Sequence, residues 1–288
     1  MGQDRAVQGE GLHCGVAVRR KARGKGASPV GWAKSSGGAS RTMMCPPSLH
    51  PRETVGTAPS DGTDKHADRA RLCRPYFYDG ASMSRGASRI VAHYERHALA
   101  WDADRRAAAW TDKPPIERFV TLLRPGANVL DLGCGGGVPV AAHISAQGFS
   151  VTGVDSSPTM IALCRTRMPD QEWVVADMRS WTSGRRFDGV LAWDSFFHLG
   201  HDDQRRMFPI FAACAASGGV LLFNAGPAHG EAIGSYRGDP LYHASLDPSE
   251  YAALLRDNGF ELIAQSVGEP AKGERSFWLA RAVRAPPV

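Results

Sequence analysis

Three glycines at alternate positions, Gly133, Gly135 and Gly137, stand directly after the apolar run Val129-Leu130-Asp131-Leu132. A second acid, Asp155, closes the next apolar run 20 residues beyond Gly135. Glycine has no Cβ, so a backbone rich in it can turn sharply and let a ligand lie against it. A carboxylate at the end of the following strand can accept both hydroxyls of a ribose. Together these residues describe a nucleoside site at the carboxyl edge of a parallel sheet.

The spacing bears on which nucleoside. A dinucleotide fold uses G-x-G-x-x-G to bring a helix amino terminus to a pyrophosphate, and here Val138 occupies the third glycine's place. The loop reads Asp-x-Gly-x-Gly-x-Gly instead and closely resembles motif I of the class I S-adenosylmethionine (SAM) methyltransferases. An ordinary tight strand–helix turn is the plainer reading of any Gly-rich loop, but the downstream elements agree with the resemblance.

Those elements begin at Ser84. Ile90, Val91, Tyr94, Ala98 and Trp101 recur at helical spacing, and a second helix is expected from Pro114 or Pro115 to Leu123. The strand Val129–Leu132 leads into a helix from Pro139 to about Gln147, with Gly148 as its stop. Ser157 is a good N-cap with Pro158 behind it. Further strands are expected at 173–177, 187–193 and 219–224, with a helix over 203–216. Asp247-Pro248-Ser249-Glu250 opens another helix ending near Gly259, and strands at 260–267 and 277–283 close the chain. Strands alternating with helices imply a parallel sheet covered on both faces, and two final strands without a helix between them imply an antiparallel pair. The expected fold is α/β, a Rossmann-like, seven-stranded, mostly parallel sheet with a terminal antiparallel strand pair. Over roughly residues 90–284 this order is similar to the methyltransferase fold, especially its small-molecule branch that includes trans-aconitate-type enzymes.

The resemblance implies roles. Asp131 would hold the methionine amino group of SAM, and Gly133, Gly135 and Gly137 would let that part of it approach the backbone. Asp155 would bind the ribose diol, Asp177 would accept from the adenine amino group, and Met178 would pack on the ring. The loop Trp193-Asp194-Ser195-Phe196-Phe197-His198 follows the fourth strand, where the family places the transferable methyl, so Trp193 is counted with the cofactor residues. His198, with an ordinary pKa of ~6.5, suits a general base, and Asp194 is the second candidate; either could equally be structural. The loop has neither the Asn/Asp-Pro-Pro-Tyr/Phe of amino-methylating nucleic-acid enzymes nor the Pro-Cys of cytosine C5 enzymes. The long connection Ala225–Ser245 carries Tyr236 and His243, which with Tyr94, Trp101 and Phe197 are candidates for an acceptor pocket.

The chain's net charge of +5 is uneven. Residues 1–82 hold 13 Lys+Arg against 7 Asp+Glu, so their excess exceeds the total and the remainder is nearly neutral. That segment, rich in Gly, Ser, Pro, Arg and Lys without apolar periodicity, is expected to be disordered. Residues 83–288 would form the SAM-dependent domain, with Met83 a possible true translation start. The near-neutral remainder gives no reason to expect a nucleic-acid partner. No two of the six cysteines lie at C-x-x-C spacing, so no metal site is expected. No apolar run reaches the ~18 residues of a membrane span and no signal peptide follows Met1, so a cytoplasmic protein is expected. The acceptor's identity and the oligomeric state are not encoded in any motif. Three other readings stand beside the leading one: an NAD(P)-linked oxidoreductase, a SAM-binding protein without turnover, and a nucleic-acid methyltransferase with a basic arm.

A chain starting at Met83 is expected to melt at the same temperature as the full chain, because a segment with no core to bury cannot offset its ordering entropy. Thermal melts of the two check this; a loss of several degrees would mean that the segment packs on the domain.

Overall fold

The computed structural model describes residues 86–268 and 275–283. The expectations for residues 1–82 and for Met83 lie outside these residues. Helix α1 (Ile90–Ala107) and helix α2 (Lys113–Thr121) precede strand β1 (Asn128–Leu132). Then come α3 (Val140–Ala146), β2 (Ser150–Asp155), α4 (Pro158–Arg167), β3 (Glu172–Val175) and β4 (Phe187–Ala192). After a single 3-10 turn at Phe196–His198 follow α5 (His201–Cys214), β5 (Ala215–Ala225), β6 (Gly230–Tyr236), β7 (Asp239–Ser245), α6 (Pro248–Asp257), β8 (Phe260–Ser266) and β9 (Ser276–Ala282).

Seven strands form one sheet in the order β3-β2-β1-β4-β5-β9-β8. The first five are parallel, and β9 runs antiparallel to both β5 and β8. Strand order reverses at β1, whose neighbours β2 and β4 are reached by crossovers in opposite directions. The loops after β1 and β4 therefore diverge, and a crevice opens at the strands' carboxyl ends. The expected fold class and the terminal antiparallel pair are both present.

The central strands read as continuous apolar runs because both faces are buried. Leu130, Leu132, Val190, Leu221 and Phe223 point into the core beneath α5 and α6. Their alternates Val129, Leu191, Val220 and Leu222 face Ile116 and Phe119 of α2 and Ile144 of α3. Phe223 and Trp278 are cross-strand partners stacked at 5.3 Å, and Tyr251 of α6 stands against Trp278 at 4.6 Å. That aromatic cluster anchors the antiparallel edge strands to the parallel sheet.

Two boundaries differ from the sequence reading. The helix expected over 203–216 ends at Cys214, and β5 starts at once with Ala215, well before the expected Gly219. Gly218 turns at φ +76° between the Phe187–Ala215 and Gly189–Val220 pairs, where the register of β5 on β4 shifts. The connection 225–245, expected as a long loop, is an antiparallel hairpin, β6–β7, outside the main sheet. Leu241, Tyr242, His243 and Ala244 of β7 are buried, which holds the hairpin against the domain.

Helix α1 is docked by polar contacts more than by oil. It buries His93, Ala98 and Asp102. Asp102 takes both guanidinium nitrogens of Arg167 at 2.5 and 2.6 Å and accepts from Arg106 at 3.0 Å. Arg167 also donates to the Gly136 carbonyl at 2.9 Å, so one arginine joins α1, α4 and the Gly loop. A Cβ at Gly136 would lie 2.3 Å from Asp102 Oδ1, so this approach requires glycine. Glu95 accepts from the Thr159 hydroxyl at 2.6 Å and from Ser157, tying α1 to the start of α4. Asp102→Ala is expected to cost about 3 kcal/mol, since it strands Arg167 without its partner. Chemical denaturation checks this; a change below about 1 kcal/mol would show that α1 is held by other means.

Candidate active site

The Gly loop and β2 build one wall of the crevice. Asp155 ends β2, and its carboxylate accepts from the Gly135 N–H and the Ser157 N–H, each at 2.9 Å. Burial pushes its pKa up, and those two N–H groups oppose the rise. Asp131, two residues before Gly133 on β1, is 2% exposed. Burial and the nearby Asp155 charge push its carboxyl up to about 7. Two acids so placed favour a cation between the strand ends. Gly133 and Gly135 have φ of +77° and +53°. At Gly133 a Cβ would strike Ser195 at 2.3 Å, whereas at Gly135 it would meet nothing within 4 Å. Gly133 is therefore packed and Gly135 faces open space.

That space is two hollows that meet along Gly133 and Gly135, with Trp101 and Asp194 in both walls. The smaller runs over Asp131, Gly136, Gly137, Arg105 and Trp193. The larger, a partly open cleft of about 840 Å³, runs past Asp155, Asp177 and Met178 to Tyr94 and His198. The residues expected to hold an amino acid thus line one hollow and those expected to hold a nucleoside line the other. Asp177 stands just beyond β3, and both its oxygens are taken by Arg179, at 2.6 to 3.1 Å. Met178 packs against the core beneath the cleft.

His198 closes the far end. Its Nδ1 lies 2.8 Å from the Tyr242 carbonyl, which can only accept, so Nδ1 carries the proton. Its Nε2 is then an acceptor, and the Tyr94 hydroxyl donates to it at 2.7 Å. Burial, reinforced by the neighbouring His243, pushes the His198 pKa well below 6.5. Burial, with the charges of Asp194 and Asp155, raises Tyr94 well above 10. The pair is neutral at neutral pH, and both members line the cleft, Tyr94 beside Trp101.

Asp194 is differently placed. It sits at φ +52°, a left-handed conformation that Asn224 fixes by bonding both its backbone N–H and its Oδ1, at 2.8 and 2.7 Å. Its Oδ2 takes Arg275 at 3.0 Å and Arg105 at 3.3 Å. Arg105 also bonds Asp112, which receives the Trp193 Nε1–H at 2.8 Å. This lattice makes Asp194 a fixed counter-ion at the join of the two hollows.

The other expected pocket residues separate. Tyr94 and Trp101 line the cleft. Phe197 is buried in the core, and His243 lies behind His198 at 4.8 Å between ring centres. Tyr236 covers the outer edge of Trp101 and donates to Asp104. Sequence reasoning missed Ser195, whose hydroxyl donates to the Leu132 carbonyl at 2.7 Å and pins the β4 loop to the Gly loop. It also missed Glu95, Asp102, Asp112, Arg105 and Arg275. Glu95 and Asp102 lie on a helix whose apolar spacing drew notice; the partners that give them meaning are distant in sequence and carry no local signal.

The sequence model of a family described as a methyltransferase domain matches residues 91–265, more than half of the chain. The chain belongs to this methyltransferase family. Among curated relatives, the trans-aconitate 2-methyltransferases of Escherichia fergusonii and Escherichia coli O7:K1 are 35% and 39% identical over 116 residues. Each match covers 40% of this chain and 45% of the relative, so the chain spans less than half the length of the curated relatives it matches. Among solved structures, the 1,6-didemethyltoxoflavin-N1-methyltransferase of Burkholderia thailandensis superposes with a TM-score of 0.55 at 21% identity, covering 73% of this chain and 94% of that one. The SAM-bound amino pentose methyltransferase of Micromonospora echinaspora gives 0.51 at 21% identity, covering 64% and 96%. At that identity the two structures speak for the fold.

Gly133→Ala is expected to destabilise the protein by about 2–3 kcal/mol, through a positive φ and a collision with Ser195. Gly135→Ala is expected to cost only about 1 kcal/mol, for the φ alone. Equal losses in paired denaturation curves would show that Gly135 is packed.

Proposed function

We propose that the chain transfers the methyl group of SAM to a small-molecule acceptor by in-line displacement. The observation that carries this reading is the open cradle at Gly135, flanked by the buried Asp131 and the partly buried Asp155. A backbone cradle between two acids, with no cluster of lysines, suits a cationic amino acid joined to a ribose better than a pyrophosphate. The names of the similar proteins, which act on trans-aconitate, a didemethyltoxoflavin and an amino pentose, support a small acceptor. We assign the activity to residues 83–288.

When bound, SAM supplies a methyl group activated by its sulfonium. Asp131 would hold the methionine amino group and Gly133, Gly135 and Gly137 would give it room. Asp155 retains lone pairs for the ribose hydroxyls after accepting from Gly135 and Ser157. Asp177 is committed to Arg179, so adenine would meet Met178 and the backbone of that turn more than a free carboxylate. Trp193 and Asp194 close the amino-acid hollow, and Trp101 and Tyr94 exclude water from the join. An acceptor proton would reach the Tyr94 oxygen, while Tyr94 passes its own proton to His198 Nε2. The depressed His198 pKa suits this relay to an acceptor that is acidic or that methylation acidifies.

An acceptor other than nucleic acid agrees with the near-neutral charge after residue 82. A cytoplasmic location is part of the same reading: the described cysteines are free thiols, and no described helix is long and apolar enough to cross a membrane.

Calorimetry is expected to show binding of SAM and S-adenosylhomocysteine but not of NAD. Asp155→Ala should weaken SAM by one to two orders of magnitude, the worth of ~1.5–3 kcal/mol in charge-assisted hydrogen bonds. Asp131 gains a cationic partner on binding, so its pKa falls in the complex. Affinity should therefore be full above pH 7 and decline as pH drops through about 7. Methyl incorporation from labelled SAM into a metabolite extract would identify the acceptor. Binding of NAD, or an unchanged affinity in Asp155→Ala, would sink the proposal; salt-sensitive incorporation into RNA or DNA would overturn the acceptor class.

A further inference from the structure

We propose that His93, His97 and Asp239 form a site for one divalent transition-metal ion of the zinc class, fastening α1 to the β6–β7 hairpin. One donor atom from each residue lies within 4.8 Å of the others. His93 and His97 are four residues apart on α1 and so share a face, with ring centres 4.9 Å apart. Asp239 opens β7 at the hairpin turn, and its Oδ2 is 2.8 Å from His97 Nε2. Only three-dimensional proximity unites the set, since 142 residues separate His97 from Asp239.

Two further observations separate this from an ordinary ion pair. His93 is 7% exposed, and its Nε2 is buried without a hydrogen-bond partner. Buried imidazole nitrogens are normally satisfied, so an unpartnered one on a residue of this cluster points to something that completes it. The donor set itself, two imidazoles and one carboxylate, is that of zinc and its neighbours, and does not suit calcium or magnesium. Donors around a tetrahedral zinc stand roughly 3.3 Å apart, given bond lengths near 2.0–2.2 Å. The widest pair must therefore draw in by at most about 1.5 Å, within the reach of small side-chain rotations. Arg96 competes for Asp239 Oδ2 at 2.9 Å, but its side chain is 67% exposed and can turn into water as the ion takes its place. Three protein ligands leave a fourth position for water. The ion would clamp the segment that carries Tyr94 and Trp101 to the hairpin that supplies the Tyr242 carbonyl to His198.

The test uses the full chain without an affinity tag, stripped of metal, titrated with zinc alone and, separately, with cobalt(II). The expected result is one zinc ion per chain with a Kd of about 1 µM or tighter, a rise in melting temperature, and cobalt absorption without thiolate charge-transfer bands. His97→Ala and Asp239→Asn should each weaken zinc at least tenfold while their metal-free melting temperatures stay close to the parent's. Those partly exposed positions keep the test independent of His93→Ala, which opens a cavity at a buried site. Absence of saturable binding, unchanged affinity in both variants, or thiolate bands marking a cysteine site would overturn the proposal.

Discussion

Two carboxylates near the ends of adjacent parallel strands, one buried and one partly so, set the terms for the rest of this molecule. Burial pushes both pKa values up, the Asp155 charge adds to the rise at Asp131, and the Glu95 charge adds to it at Asp155. Asp155 is offset by backbone N–H groups from the Gly loop and the start of α4, which is possible only because the loop turns through left-handed conformations. Asp131 is left with a pKa near neutrality. The crevice thus stores a demand for positive charge and for hydrogen-bond donors, and the surrounding elements keep water from meeting it cheaply.

Helix α1 is the element that makes the crevice a pocket. Its apolar positions Ile90, Val91, Tyr94 and Trp101 are not its packing face; they form the cleft wall. What holds the helix down is polar: Glu95 on the start of α4, and Asp102 through Arg167 on the Gly loop. The same contacts that close the pocket therefore also position the loop that a ligand would touch.

The parallel sheet was legible in the sequence because buried strands are continuous apolar runs, and their helices announce themselves by caps. Ser157 accepts from Met160 N–H and Asp247 from Ser249 N–H, as their positions before Pro158 and Pro248 imply. The strand ends carrying Asp131 and Asp155 followed from the same pattern. The hairpin β6–β7 was not legible: its strands mix Gly, Ser, His and Tyr, and only the buried stretch Leu241–Ala244 defines an inner face. Phe197 looked like a pocket residue because its neighbours His198 and Trp193 are, yet a 3-10 turn reverses direction within three residues and sends it into the core. Asp194 looked like a base because nothing local reveals Arg105, 89 residues earlier, or Arg275, 81 residues later. Charges that cancel across such distances are invisible until the chain is folded.

The hairpin's position between β5 and α6 has a consequence for how such a domain can change. It adds no strand to the seven-stranded sheet, and its removal or replacement would leave every strand pairing of that sheet in place. It nevertheless supplies the carbonyl that selects the His198 tautomer and the ring that shields Trp101. Alterations there can reshape what enters the pocket while the strand ends and the Gly loop keep their geometry. The fold thus separates the strand ends and Gly loop, fixed by one sheet, from a hairpin on which no pairing of that sheet depends.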